Sequence, residues 1–284
     1  MPRRRAGGGA VSRPAPYWRD MPARAFGQTG DWIAVLPIAA IEQHGPHLPV
    51  GVDSFIAEAM VARVVALLEA DDAPPPATFL PVQQVCKSDE HLAFRGTLTL
   101  GWETAIRAWL EIGASVARAG VRKLVIVTSH GGNVAPMGIV ARELRIAHDL
   151  LCVTCAWGSG VETADLLPEG EGAYGIHGGA AETGMMLAIR PDLVDRGRAE
   201  DFRTVELENA ARFERLRAHG AVATGWMAQD LHPAGTAGDA RAGTAALGEA
   251  LLARYAAAFL SLLRDVAAAD PALQLRPATP GSLP

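Results

Sequence analysis

Carboxylate and imidazole side chains are concentrated in one short segment of this chain. The segment runs from Glu42 to Asp53 and also contains His44 and His47. It follows the apolar run at 33–41, which we interpret as a buried strand. These side chains would therefore lie where a parallel strand ends, the edge at which open α/β sheets bind ligands. Because carboxylates and imidazoles together suit zinc, manganese or iron, the segment predicts half of a metal site.

Two later segments provide candidates for the other half. A second strand-like run at 121–128 leads into His130, and a glycine-rich loop leads through His177 to Glu182. Five ligands are too many for one tetrahedral ion, but they suit two metals about 3.5–4 Å apart that share a carboxylate. We expect His177 to remain available for proton transfer. The expected ligands of two divalent cations are Glu42, His44, Asp53, His130 and Glu182.

Most of these residues also have an ordinary structural interpretation. Asp53 could cap the helix that follows it, and Asn133 could cap another. The glycine pair after His130 is typical of a tight turn. Glu182 stands near a helix start, where the helix dipole favours a carboxylate. The density of possible ligands at one sheet edge favours the metal site over these alternatives.

A second group of residues is predicted to contact a substrate, although a solvated turn explains part of it equally well. One part of the group lies in the polar turn at 87–91, and the other follows the second strand. Glycines there let a backbone approach a ligand without a Cβ in the way. The predicted substrate contacts are Ser88, Glu90, His91, Gly131, Gly132 and Asn133.

Apolar segments alternate with amphipathic ones along the chain. This alternation predicts a single α/β domain with a mostly parallel central sheet and helices on both faces, in three α/β/α layers. The predicted strands are 33–41, 79–82, 96–100, 121–128 and 151–157. The predicted helices are 54–69, 103–119, 135–149, 180–189, 209–219 and 241–265.

The ends and two loops of the chain complete the predicted organisation. We expect a disordered tail at 1–28, a folded domain at 29–268 and a flexible tail at 269–284. The loop at 158–176 holds five glycines and could cover a site. The segment at 226–232 is expected to shape specificity.

Bulk composition excludes several classes of function. The formal charge of the 284-residue chain is -5, so no basic surface for nucleic acid is indicated. No uncharged apolar stretch is long enough to predict a membrane span. Three cysteines argue against a disulfide framework and for a reducing, cytoplasmic location. Cys152 and Cys155 form a C-x-x-C, but inside a predicted strand they would point to opposite faces, so we expect them to be buried packing.

Several common catalytic motifs are absent from the sequence. It has no phosphate-binding P-loop, no G-x-G-x-x-G after the first strand and no H-E-x-x-H helix. It also has no G-x-S-x-G elbow. Nucleotide binding by those routes and serine hydrolysis of that type are unsupported.

The ordered motifs resemble those of the creatininase (creatinine amidohydrolase) family over about residues 30–260. They are E-Q-H-G-P-H-L-P at 42–49 with Asp53, H-G-G-N at 130–133, and H-G-G at 177–179 with Glu182. The segments at 90–91, 96–97 and 229–239 extend the likeness.

The resemblance implies a compact α/β/α fold, a two-metal centre and hydrolysis of amide C–N bonds. Zinc is expected first, with manganese or iron as alternatives, and a homo-oligomer, often a hexamer, is implied. Glu42, His44, Asp53 and His130 correspond to family ligands with Asp53 as the bridge, and His177 corresponds to the catalytic histidine. Creatininase itself has a glutamate where this chain has Gly132, so Glu182 is the expected substitute, as in the branch of the family with H-G-G-N.

The expected reaction is hydrolysis of a small, cyclic amide by hydroxide generated between two cations. His177 would protonate the departing nitrogen. Because Gly132 alters the pocket, creatinine is not the assigned substrate. Lactone, formamide or peptide hydrolysis at the same site is the alternative, and a non-catalytic metal- or ligand-binding module is a third hypothesis.

Overall fold

The central sheet has four parallel strands in the order β2-β1-β3-β4. The computed structural model describes residues 13–274. Each strand of the sheet is short, and β1 and β3 are buried along their whole length. The four strands are β1 (Ile33–Ile38), β2 (Ala77–Phe79), β3 (Lys123–Thr128) and β4 (Leu151–Ala156).

Helices cover both faces of this sheet, which confirms the predicted three-layer α/β/α fold. The helices between and after the sheet strands are α1 (Val52–Ala70), α2 (Trp102–Arg118), α3 (Val134–His148), α4 (Glu171–Tyr174) and α5 (Ala180–Ile189). The remaining elements are an antiparallel pair, β5 (Asp201–Phe202) and β6 (Gly238–Asp239), with α6 (Glu206–Arg212), α7 (Ala228–Leu231), α8 (Ala245–Ala268) and α9 (Pro271–Gln274).

Each face of the sheet has its own hydrophobic core. α1, α5 and α8 pack together on one face, where Met60, Met186 and Phe259 are buried. α2 and α3 pack on the other face around Trp109 and Leu144. Alternate residues of β1 and β3 supply apolar side chains to the two cores, because successive strand residues point to opposite faces. A sheet covered on both sides must be apolar throughout, which explains the continuous apolar runs in the sequence.

The C-x-x-C pair lies on β4, as predicted. Cys155 packs with the α1/α8 core and Cys152 with the α2/α3 core, so the two thiols are on opposite faces. Burial raises the pKa of each thiol to about 12. The two cysteines therefore act as packing residues.

Three predicted elements differ from the structure. The segment at 96–100 is not a strand: Leu98 makes one isolated antiparallel bridge to Ile41. The predicted strand at 79–82 lies earlier, at Ala77–Phe79, where the chain pairs with β1 in regular register. The predicted helix at 209–219 overlaps α6, which begins at Glu206 and ends at Arg212, because the backbone of Phe213 is extended.

The long C-terminal helix begins later than the predicted residue 241. Asp239 accepts a hydrogen bond from the backbone N–H of Arg241 and holds a tight turn there. Thr244 then caps α8 by accepting from the N–H of Leu247 at 3.1 Å. α8 is long and apolar enough to cross a membrane, but its apolar face is buried in the core. A helix buried in a protein core can meet the same criteria of length and composition as a membrane-spanning helix, so these criteria are weak evidence for a span.

The folded unit begins before the predicted boundary at residue 29. The backbone N–H of Phe79 donates to the carbonyl of Pro16 at 2.8 Å, which adds the N-terminal segment to the edge of β2. The rings of Trp18 and Phe26 lie 4.7 Å apart, and Phe26 packs on Trp32. The predicted tail is therefore wrong for 13–28, while residues 1–12 lie outside the described residues. At the other end α9 falls within the predicted flexible tail, and 275–284 lie outside the described residues.

Candidate functional site

Loops and helix starts at one edge of the sheet bring the five predicted ligands together. Glu42 and His44 follow β1, Asp53 lies in the first turn of α1, His130 follows β3, and Glu182 lies in the first turn of α5. The first four are buried, and the Glu182 side chain is 20% exposed.

Asp53 lies between two imidazoles. Its Oδ2 is 3.8 Å from the Nε2 of His44 and 3.9 Å from the Nδ1 of His130. On the His130 side, the Oε2 of Glu42 is 3.1 Å from the same Nδ1. On the His44 side, the Oε2 of Glu182 is 3.7 Å from Nε2. The arrangement matches two sets of ligands that share the Asp53 carboxylate.

Four buried atoms of the five ligands have no hydrogen-bond partner: Glu42 Oε1, His44 Nε2, Asp53 Oδ2 and, on the outer side of its ring, His130 Nε2. One ligand atom from each of Glu42, His44 and Asp53 falls within 4.8 Å of the others. The Nδ1 of His44 is 3.0 Å from the carbonyl of Glu42 and can donate to it. That tautomer leaves a lone pair on Nε2, which faces the carboxylates of Asp53 and Glu182. Buried polar atoms without partners cost about 1–3 kcal/mol each, so this donor set fits bound cations.

The ionisation of the two central carboxyls differs in the cation-free protein. Burial and the nearby Glu42 carboxylate raise the pKa of Asp53 well above its ordinary value. Burial also disfavours the charged form of Glu42, but His130, His91 and His44 outweigh that effect and hold its pKa well below its ordinary value. Close carboxylates oppose each other's ionisation unless positive charge lies between them. Cations bound between these carboxyl groups would offset their mutual repulsion and allow both to be ionised.

His177 is oriented towards the cluster by the backbone. Its Nε2 donates to the carbonyl of Gln43 at 2.7 Å, and its Nδ1 lies 3.7 Å from the Oε1 of Glu42. Burial, with the positive charge of His44 when protonated, lowers the pKa of His177 to about 4. The imidazole is therefore neutral near pH 7, with the lone pair of Nδ1 facing the site.

The polar turn at 87–91 contributes residues with different contacts. Ser88 is buried and donates from Oγ to the Oε2 of Glu42 at 2.5 Å. The Nε2 of His91 lies 3.3 Å from the Oε1 of Glu42. The Oε1 of Glu90 lies 3.1 Å from the Nε2 of His130. Glu90 and His91 line the adjoining cavity, whereas Ser88 does not and instead holds Glu42 in place.

Asn133 differs from its predicted role. Gly131 and Gly132 line the cavity, but Asn133 does not. Its side-chain amide donates to the carbonyl of Ala39 at 2.9 Å, and its Oδ1 accepts from the N–H of Lys87 at 3.3 Å. Asn133 therefore ties the end of β1 to the polar turn, because its amide satisfies backbone groups of both. Its side chain makes no capping hydrogen bond to α3, and its amide groups are directed to the backbone rather than to the cavity.

The cluster opens into a cavity of about 710 Å³. One side of the cavity is lined by the rim, which we define as residues 219–227. The walls of the cavity combine polar groups of the cluster with apolar side chains that include Ile176, Trp226 and Met227. Within the described chain, Ile176 is the one residue of the loop at 158–176 that lines the cavity. Arg254 of α8 holds another part of that loop by pairing with Asp165 at 2.6 Å.

Sequence reasoning assigned no role to two residues that fix His177. The carbonyl of Gln43 accepts from its ring, and Thr236 donates to its backbone carbonyl at 2.5 Å. Gln43 lies inside the ligand-rich segment, which was the available signal. Thr236 had none, because a threonine that supports a distant backbone group looks like any other in the sequence.

Comparison with known proteins gives a consistent result. The family described as "Creatininase: Creatinine amidohydrolase" matches residues 18–263. Creatinine amidohydrolase of Pseudomonas putida is 34% identical over 195 residues, covering 65% of this chain and 74% of the relative. The mycofactocin precursor peptide peptidase of Mycolicibacterium smegmatis is 31% identical over 222 residues, covering 78% and 80%.

Solved structures of creatininases share the fold. One crystal structure of creatinine amidohydrolase (creatininase) superposes with a TM-score of 0.66 at 26% identity, covering 88% of this chain and 92% of that one. A mutant creatininase of "Zn-Zn type" gives 0.64 at 25% identity, covering 87% and 92%. The structure titled "Creatininase Mn" gives 0.67 at 23% identity, covering 93% and 100%.

Proposed function

The chain belongs to the creatininase family of hydrolases that act on C–N bonds, and from this premise we propose that it cleaves a small amide in a two-cation site. The observation that carries the proposal is the convergence of five buried or half-buried ligands from four separate parts of the chain. Three of the atoms that face the cluster, on Glu42, His44 and Asp53, have no hydrogen-bond partner.

We assign one cation to Glu42, Asp53 and His130, and the other to His44, Asp53 and Glu182. Asp53 is shared because its Oδ2 faces both imidazoles. Zinc is the first candidate for both positions and manganese the second, in line with the named zinc and manganese forms of related creatininases. When bound, such a pair lowers the pKa of water and polarises a carbonyl oxygen.

The protein's own groups orient and protonate the substrate. The Nδ1 of His177 faces the cluster and the cavity, so it is placed to exchange a proton with the departing nitrogen. Gln43 fixes that orientation by occupying the other ring nitrogen. Three carboxylates against two dications leave one net positive charge, which favours the negative charge that develops on a carbonyl oxygen under attack.

A peptide-like substrate is the second candidate, and the cavity favours it. A volume of about 710 Å³ is much larger than a single small ring requires. Trp226 and Met227 add apolar wall beyond the polar cluster, where a side chain next to the scissile amide would lie. The peptidase relative in Mycolicibacterium smegmatis is consistent with this possibility. Lactones and formamides remain further candidates for the same site.

Metal analysis and turnover of the full-length protein test the proposal. We expect about two cations per chain after loading with zinc, and loss of activity on chelation that added zinc restores. The substrate panel should include creatinine, other cyclic amides, short peptides, formamides and lactones. A loaded protein that binds two cations and turns over none of these classes would support the non-catalytic binding module instead. Cytoplasmic location and a homo-oligomeric state, a hexamer by resemblance, stay predictions.

A further inference from the structure

The carboxylate of Glu90 occupies the space above Gly132. A Cβ added to Gly132 would overlap the Oε1 of Glu90 and the Nε2 of His130. Gly131, next to it, has open space at the same position. A side chain at 132 is thus incompatible with the present position of Glu90, although both residues border the same cavity.

Glu90 contacts the Nε2 of His130, which is the ring nitrogen that points away from the ligand cluster. Its Oε1 is 3.1 Å from the Nε2 of His130, while the Nδ1 of that ring is 3.1 Å from Glu42. The other oxygen of Glu90 pairs with the Nζ of Lys87. The Glu90 side chain is 11% exposed, so this chain of charges is largely shielded from solvent.

We propose that Glu90 is a positioning residue for the cation at His130. Position 132 is a glycine because a side chain there would displace the Glu90 carboxylate. The proposal rests on the two-cation site proposed above. A carboxylate oxygen 3.1 Å from Nε2 favours the proton on that nitrogen by charge attraction, so the lone pair lies on Nδ1 and points at Glu42 and Asp53. Lys87 balances the charge of Glu90 and keeps its second oxygen away from the cluster.

This role differs from the substrate contact that the sequence suggested. A substrate contact would leave cation affinity unchanged when Glu90 is replaced. A ligand role would remove one cation altogether. A positioning role predicts two cations that still bind, one of them more weakly and with altered geometry.

Titration of the metal-free, full-length protein with Co²⁺ distinguishes these roles, with calorimetry for affinity and the visible spectrum for ligand geometry. In Glu90→Ala we expect two cations, one bound about 10–100-fold more weakly, and a changed spectrum. Glu90→Gln should recover part of the loss, because the amide oxygen still presents a partial negative charge to Nε2. The unfolding temperature of the metal-free variants shows separately whether the fold has been weakened.

Gly132→Ala should weaken cation binding at least as much as Glu90→Ala, because its Cβ would overlap both the Glu90 carboxylate and the Nε2 of His130. In the Glu90→Ala background, Gly132→Ala should cost less affinity than it does in the wild type, because only the overlap with His130 then remains and the two changes are not additive. Gly138→Ala is the matched control: Gly138 is exposed in α3 and has open space at its Cβ, so Co²⁺ affinity should not change.

Two results would overturn the inference while leaving the proposed centre intact. One is wild-type affinity and spectrum in Glu90→Ala. The other is a stoichiometry of one cation in that variant, which would make Glu90 a ligand. If the wild-type protein itself failed to bind two Co²⁺ ions, the proposed function would fail rather than the role of Glu90 alone.

Discussion

The two ends of the cavity are built in opposite ways. The floor, which we define as Glu42, His44, Asp53, His130 and Glu182, is held by the strand ends and the first turns of two helices. Four of its five residues are buried. In the rim, residues 219–225 are exposed, and no helix or strand of the described chain runs through them.

The hydrogen bonds differ in the same way. Ser88 fixes Glu42 from a separate loop, and the carbonyl of Glu42 fixes the ring of His44. In the rim, the backbone N–H of Thr224 donates to the carbonyl of Arg217 at 2.9 Å, within the same local turn. Loops held locally accept sequence changes at small cost, whereas buried polar networks do not. The comparison suggests that the floor sets the reaction and the rim sets the substrate.

The strongest test of the floor is Glu42→Gln. An amide cannot supply the negative charge that faces four imidazoles, so we expect loss of cation binding and a fall in turnover of about 10³-fold or more. Metal content and kcat/KM measure both. Glu103→Gln, on the exposed first turn of α2, is the control and should leave them unchanged. Full metal content and turnover in Glu42→Gln would contradict the assignment of the floor.

His177→Asn separates proton transfer from cation binding. We expect turnover to fall about 100-fold or more, with both cations retained, because the floor residues stay in place. Metal content and single-turnover rates are the measurements. His177 also belongs to two possible ligand groups with floor residues. Loss of a cation in this variant would move His177 from proton transfer into the floor.

Ser88→Ala tests whether buried support of the floor matters. Losing the 2.5 Å hydrogen bond to Glu42 should weaken cation affinity about tenfold, with a smaller effect on turnover at saturating metal. Metal titration of the variant measures this. The control is Ser115→Ala, since Ser115 donates to a carbonyl on the exposed face of α2. Equal affinities for Ser88→Ala and wild type would mean that Glu42 needs no such support.

Trp226→Ala should have the smallest effect and should be confined to the rim. We expect KM to change up to about tenfold for substrates with an apolar group, with metal content and unfolding temperature preserved. Trp102→Ala is the control, because Trp102 is exposed on α2 and does not line the cavity. If Trp226→Ala altered cation binding, the separation of rim from floor would be wrong.

The sequence was most reliable where a local pattern carries the physics. Continuous apolar runs predicted β1, β3 and β4, and residue types predicted the donors of the floor. It was less reliable for 96–100, where the alternation typical of a strand occurs but Leu98 makes only one isolated bridge, to Ile41. The N-terminal segment was missed because its glycines, prolines and arginines mask the aromatic contacts from Trp18 onwards.

Ligand chemistry belongs to individual side chains, and so the sequence alone determined which cations the site could hold and at which edge of the sheet. Distances and orientations depend on how remote elements pack. Only the tertiary structure could therefore decide that Asn133 turns away from the cavity, that Gln43 orients His177, and that Glu90 fills the space above Gly132. The rim, too, is brought to the cavity by packing, because its own sequence carries no periodic pattern that would place it there.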